Sequence, residues 1–329
     1  MDLAVVWLLV IVFGIFVYAI LDGFDLGIGI LYPWLNKQER MTALHSIKHV
    51  WDGNETWMVF AGVCLLVAFP KVYSQVLGTL YIPVFLMLFA LIFRGVVFEY
   101  RFKADSSKVW WDFSFFAGST IAAFSQGTIL GSVLLGLQVN NEQLTPLWLH
   151  PFSLAMGALI TIAYCSLGSL WLQINTEPML EKKCNRIANK MIGLFSLLSL
   201  IVVYSFFGNF SWTDTTFVLS VISYKWMILM VVGLFGFLTI KSNSSMQNSS
   251  KQAFLLFCSY LFILYLGLLN LVFPYIIPGK LTIWQAMGNE NSLQFALVGV
   301  AILLPVVLAY TVYSYKVFSG KPDSSAGAY

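Results

Sequence analysis

The stretch LAVVWLLVIVFGIFVYAILDGFDLGIGIL, residues 3–31, decides the class of this protein. Its first nineteen residues, 3–21, carry no charge, and a bilayer span needs about 20 apolar residues. Two acids, Asp22 and Asp25, then appear before the apolar pattern ends. A carboxylate at that depth costs several kcal/mol unless it is paired or wetted, which makes it a functional-site candidate. The start, Met1 to Leu3, has no basic segment, and the apolar run outlasts a signal-peptide core, so no cleavable leader is expected.

The same composition continues outward from this stretch. The chain of 329 residues is 59% hydrophobic and 10% charged, with a mean hydropathy of +0.82. A soluble domain is roughly 25% charged. The expectation is an all-α, polytopic integral membrane protein with nine transmembrane helices near residues 3–31, 52–69, 76–100, 113–137, 151–174, 187–208, 217–240, 253–275 and 293–316. It reads as one transmembrane domain over 1–329. Spans 1–4, about 1–137, carry the polar motifs; spans 5–9 cover about 151–316, and 317–329 reads as a short mobile tail. The four cysteines are far apart and form no CxxC, so no metal site is expected.

Basic residues set the expected orientation. Linkers after odd-numbered spans and the tail hold 14 Lys and Arg, those after even-numbered spans hold 3, and Arg94 lies inside a span. The N-terminus is expected outside and the C-terminus in the cytoplasm. That topology gathers Asp22, Asp25, Asp52, Glu55, Glu99 and Asp112 near the cytoplasmic face of spans 1–4.

Three strings carry the chemistry. In Asp22-Gly23-Phe24-Asp25-Leu26-Gly27 the two carboxylates share a helix face. They read either as a proton relay or as partners of a buried base, with Asp25 and Arg94 the obvious pair and Asp22 also able to reach headgroups. In Trp51-Asp52-Gly53-Asn54-Glu55-Thr56-Trp57 the acids stand at a helix start, where the dipole favours them. Asp52 reads as an N-cap or as part of a wet pocket with Trp51, Asn54, Glu55 and Trp57. At the end of span 3, Arg94 needs an anion such as Asp25 or Asp112, while Glu99 either collects protons or neutralises Lys103. His45, His49 and His150 fall in linkers, poorly placed for haem ligation.

These strings, in this order, resemble subunit II of the cytochrome bd-type quinol oxidases. Phe93-Arg94-Gly95, Phe98-Glu99-Tyr100-Arg101 and Trp111-Asp112 continue the match, as do Phe273-Pro274-Tyr275, Leu281-Thr282-Ile283-Trp284 and Leu304-Pro305. Gly168 to Glu177 departs from the pattern, and the outer loops are short. The resemblance implies a multi-pass protein of the bacterial cytoplasmic (inner) membrane. It also implies a heterodimer with a haem-bearing subunit I that oxidises quinol and reduces dioxygen at haems b and d, with small single-span accessory subunits as further partners. This chain would hold no haem and no complete active site, and a structural quinone or lipid would be its only ligand. By resemblance Asp52 and Glu99, with Glu55 as a further candidate, line a proton path, and Asp25, Arg94 and Asp112 form a buried charge network. Two rival readings of the residues stand beside it: a cation-coupled secondary transporter, and an assembly or scaffold protein without transport.

Overall fold

A computed structural model describes residues 2–104, 107–137, 146–176, 178–209, 231–243 and 250–318. Among the described residues the chain is all-α apart from one small hairpin. Its helices are α1 (Leu3–Leu31), α2 (Lys37–His45), α3 (Trp51–Ala68), α4 (Pro70–Thr79), α5 (Tyr81–Tyr100), α6 (Lys108–Leu134), α7 (Pro151–Asn175), α8 (Pro178–Asn209), α9 (Val231–Asn243), α10 (Ser250–Val272), α11 (Ile283–Ala286) and α12 (Glu290–Val317). Strands β1 (Tyr275–Ile277) and β2 (Leu281–Thr282) pair antiparallel before α11.

Among the described residues, six helices are long and apolar enough to cross a membrane: α1, α5, α7, α8, α10 and α12. Helices α3 and α4 meet that measure only together and are bent by 117°. The chain is therefore a multi-pass membrane protein. One boundary departs from the sequence expectation. The third span starts at Tyr81 rather than near 76, because Pro70 opens a separate short helix, α4. The loop after α10 forms a hairpin. Of the expected seventh span, 217–230 lies outside the described residues, as does 319–329 of the tail.

Helix α6 is 27 residues long, about 40 Å, yet is more polar than its neighbours. It buries Ser119, Ser125, Thr128 and Ser132 against other helices. Thr128 and Ser132 donate to the carbonyls of Ser125 and Thr128, so these hydroxyls are satisfied within their own helix. Helices α1, α6 and α7 form the centre. Between α1 and α7 a Cβ on Gly27 would lie 1.8 Å from the Tyr164 carbonyl oxygen, and one on Gly168 would lie 2.6 Å from Gly27. Only glycine permits that crossing, the small-residue packing expected where lipid supplies no hydrophobic drive between helices. By contrast, none of the apolar stretch of α12 is buried. At the opposite end from the acids, Asp2 caps α1 and accepts from the Trp284 indole at 2.5 Å, fastening α11 to the chain start. That hydrogen bond also holds the Asp2 carboxyl below its ordinary value.

Candidate functional site: two charge centres in spans 1 to 4

Asp22 sits 19 residues into α1, about 29 Å along its axis. The side chain is fully buried, so it does not reach headgroups. It is the carboxylate that accepts from Arg94 Nη1 of α5. The other arm of the fork, Nη2, donates to Glu55 of α3 at 3.0 Å. Arg94 is completely buried and its guanidinium lies 5.8 Å from the Trp51 ring centre. One guanidinium thus ties three helices. The expected pairing of Arg94 with Asp25 is corrected: Asp25, equally buried, accepts instead from Asn54 Nδ2 at 2.8 Å. Asn54 in turn accepts from the Tyr315 hydroxyl of α12 at 2.8 Å. Asp25 remains within electrostatic range of Arg94 without touching it.

The centre continues inward through polar side chains. Tyr18, one turn before Asp22, accepts from Gln126 Nε2 of α6 at 2.6 Å, and the Tyr164 hydroxyl of α7 donates to Gln126 Oε1 at 2.8 Å. One oxygen each of Asp22 and Asp25, and Arg94 Nε, are buried with no hydrogen-bond partner among the described residues. Buried polar atoms of this kind ordinarily have a partner, and ordered water is a common one.

Asp112 belongs to a second centre, which corrects the expectation that it faces Arg94. It stands early in α6, level with the end of α5. The antiparallel register of those helices is set by Gly118 against the Ala90 carbonyl and by Ser114, which donates to the Phe93 carbonyl at 3.3 Å. Asp112 therefore meets Arg101, and also Arg40 Nη1 at 3.0 Å. Arg40 donates to the carbonyls of Tyr32, Pro33 and Leu35 at 2.9–3.2 Å and so closes the end of the first span. Both guanidinium groups lie over the Tyr32 ring, 5.2 and 5.7 Å from its centre.

The remaining candidates separate by exposure. Asp52 is exposed one turn before the half-buried Glu55. It lies in the first turn of α3 and is not its N-cap, which is Val50. Trp51 is half-buried and stacks on Phe98, with centroids 4.8 Å apart, while Trp57 is buried in edge contacts with Phe13 and Phe60. Glu99 is exposed and paired with Lys103 at 3.4 Å. Glu39, in the linker helix α2, is partly desolvated, yet Lys183 and the Asn36 backbone N–H hold its carboxyl below the ordinary value. Burial, followed by the neighbouring Lys48, keeps His45 and His49 below theirs. His49 stacks on Phe318, and His150 accepts from the Phe152 N–H at the start of α7. Haem iron needs an axial donor inside a pocket. All three histidines are occupied at helix ends or linkers, and no group of three His, Cys, Asp or Glu among the described residues is spaced for a metal. None of the three histidines supplies an axial donor within a span.

The part that sequence reasoning missed is the pair Asp22 and Glu55 as partners of Arg94, together with Tyr315, Gln126 and Tyr18. The only signal available was that an arginine inside a span requires buried anions.

Fold and site together define a multi-pass, all-α membrane protein with a buried arginine–carboxylate centre shared by its first spans. The family model described as cytochrome bd terminal oxidase subunit II matches residues 3–318, and the chain belongs to that family. It is 26% identical to cytochrome bd-I ubiquinol oxidase subunit 2 of Escherichia coli K12, covering 96% of this chain and 94% of that one. It is also 26% identical to cytochrome bd ubiquinol oxidase subunit 2 of Bacillus subtilis 168, covering 91% and 90%. The fold matches a chain of the bd oxidase from Geobacillus thermodenitrificans with a TM-score of 0.80 at 18% identity, covering 96% and 99% of the two chains.

Proposed function

We propose that this chain is the haem-free subunit of a quinol:oxygen oxidoreductase, a terminal oxidase of the bacterial inner membrane. In this reading a haem-bearing subunit I carries haems b and d, oxidises quinol and reduces dioxygen to water. This chain supports subunit I and contributes to proton uptake from the cytoplasm. Membership in a family of terminal oxidase subunits supports the first part and replaces the transporter reading. The exposed apolar faces of α5 and α12 leave room for subunit I and lipid. Nine spans, with the N-terminus outside and the C-terminus in the cytoplasm, accord with the 14-to-3 distribution of basic residues.

One observation carries the proton role. Polar groups are spaced from an exposed acid to the interior in two hydrogen-bonded sets: half-buried Glu55 with Arg94 and Asp22, one turn on from exposed Asp52, and Tyr18 with Gln126 and Tyr164, one turn of α1 before Asp22. Three buried or half-buried carboxylates, Asp22, Asp25 and Glu55, surround one guanidinium. That surplus of acids gives the centre places for protons to reside. Glu99, tied to Lys103 at the surface, serves at most as an antenna at the mouth.

The test is turnover of the purified complex. Asp52→Asn and Glu55→Gln should each lower dioxygen reduction several-fold while the haem spectrum and subunit ratio stay as in the wild type. Normal turnover in both variants would remove the proton role, and loss of the assembled complex would make these acids structural.

A further inference from the structure

Away from the two charge centres, an open cavity of about 680 Å³ lies between the end of α1, the middle of α7 and the start of α8. Its wall is apolar, with Ile30, Leu31, Cys165, Ile187 and Met191. Its rim carries Lys182, Lys183 and Arg186, and the exposed Trp34. Lys183 is committed to Glu39 at 2.6 Å. Lys182 and Arg186 are different. Both are exposed, they stand four residues apart on one face of α8, and neither forms an ion pair among the described residues. Like charges at that spacing repel. The rim therefore holds uncompensated positive charge directly above an apolar slot.

The ligand that satisfies both halves has an anionic head and a hydrocarbon tail. We propose that this cavity binds one anionic phospholipid, with its phosphate on Lys182 and Arg186 and an acyl chain against Ile187 and Met191. A guanidinium and an ammonium match phosphate oxygens, and basic pockets between spans are a recurrent way to hold such headgroups. A free anion would leave the apolar wall uncovered, and a neutral quinone or zwitterionic lipid would leave the cations uncompensated. The inference is independent of the proton route, since none of these residues belongs to it.

The experiment uses the intact oxidase complex, purified in mild detergent. Native mass spectrometry should find phosphatidylglycerol retained by the wild type and by Lys190→Gln, an exposed cation of α8 outside the cavity. K182Q/R186Q should retain it about thirtyfold more weakly, given the attraction each basic residue contributes near a membrane surface. Equal retention by the double variant overturns the proposal. A second measurement needs no variant: phosphatidylglycerol added to delipidated wild type should raise the melting temperature. An equal rise with phosphatidylcholine would show an unspecific apolar slot, and an equal rise with inorganic phosphate would show a free-anion site. Either result overturns the proposal.

Discussion

The two charge centres are built with opposite polarity at different depths. Around Arg94 one cation lies between two carboxylates, and its side chain has no exposure. Around Asp112 one carboxylate lies between two arginines, with side-chain exposures of 15% for Asp112 and 28% for Arg40. The difference is a lesson in desolvation. An arginine stays charged in any protein environment, so burying it completely obliges the fold to bury anions with it. A carboxylate at the membrane edge is still wetted, and there the surplus of cations suits the basic end of the bundle. The inner centre is costly to disturb, whereas the outer one is a partly solvated clasp joining α2, the end of α5 and α6, in which Arg40 meets water and Arg101 is buried.

The comparison can be broken by removing each central charge. Arg94→Gln should have the largest effect, because it leaves Asp22 and Glu55 buried without a counter-charge. Breaking such a pair costs about 3–5 kcal/mol, so little folded complex should be recovered, and its melting should hardly respond to salt. Asp112→Asn should cost less, about 1–3 kcal/mol, since Arg40 can turn to water while the buried Arg101 loses its carboxylate. Its deficit should shrink as salt rises, because the wild-type clasp is itself screened. A deficit for Asp112→Asn as large and as salt-independent as that of Arg94→Gln would erase the distinction. The smallest effect belongs to Glu99→Gln. Its partner Lys103 lies four residues on, with side-chain exposures of 73% for Glu99 and 76% for Lys103. The loss should be at most about 0.5 kcal/mol, readable as an unchanged melting temperature.

Much of this was legible before any coordinates. Apolar runs gave most of the helices to within a few residues, and the alternation of basic linkers brought six acids from four spans to one end. The Arg94 pairing was not legible, because Asp22 and Asp25 are three residues apart on the same helix and differ only in which neighbour each faces. That is decided by how α1 turns against α3, α5 and α7, and the turn is held by the contact of Gly27 with Gly168. Asp112 was assigned to the wrong arginine for a related reason. The register between α5 and α6 depends on one glycine and one serine that no local pattern singles out. The end of the second span at 69 was legible, whereas the short helix α4 that Pro70 opens and the hairpin before α11 were not, since neither is long enough to show a clear period.

By itself, then, the sequence determined that this chain lives in a membrane, where most of its long apolar helices lie and which ionisable groups fall near their ends. Those properties follow from transfer free energies, which act residue by residue. Only the tertiary structure decided which acid holds which base, that Asn54 and Tyr315 take Asp25, and that Lys182 and Arg186 overhang an apolar slot. Such pairings turn on side-chain rotation and helix register at the scale of one hydrogen bond, which packing sets and hydropathy does not encode.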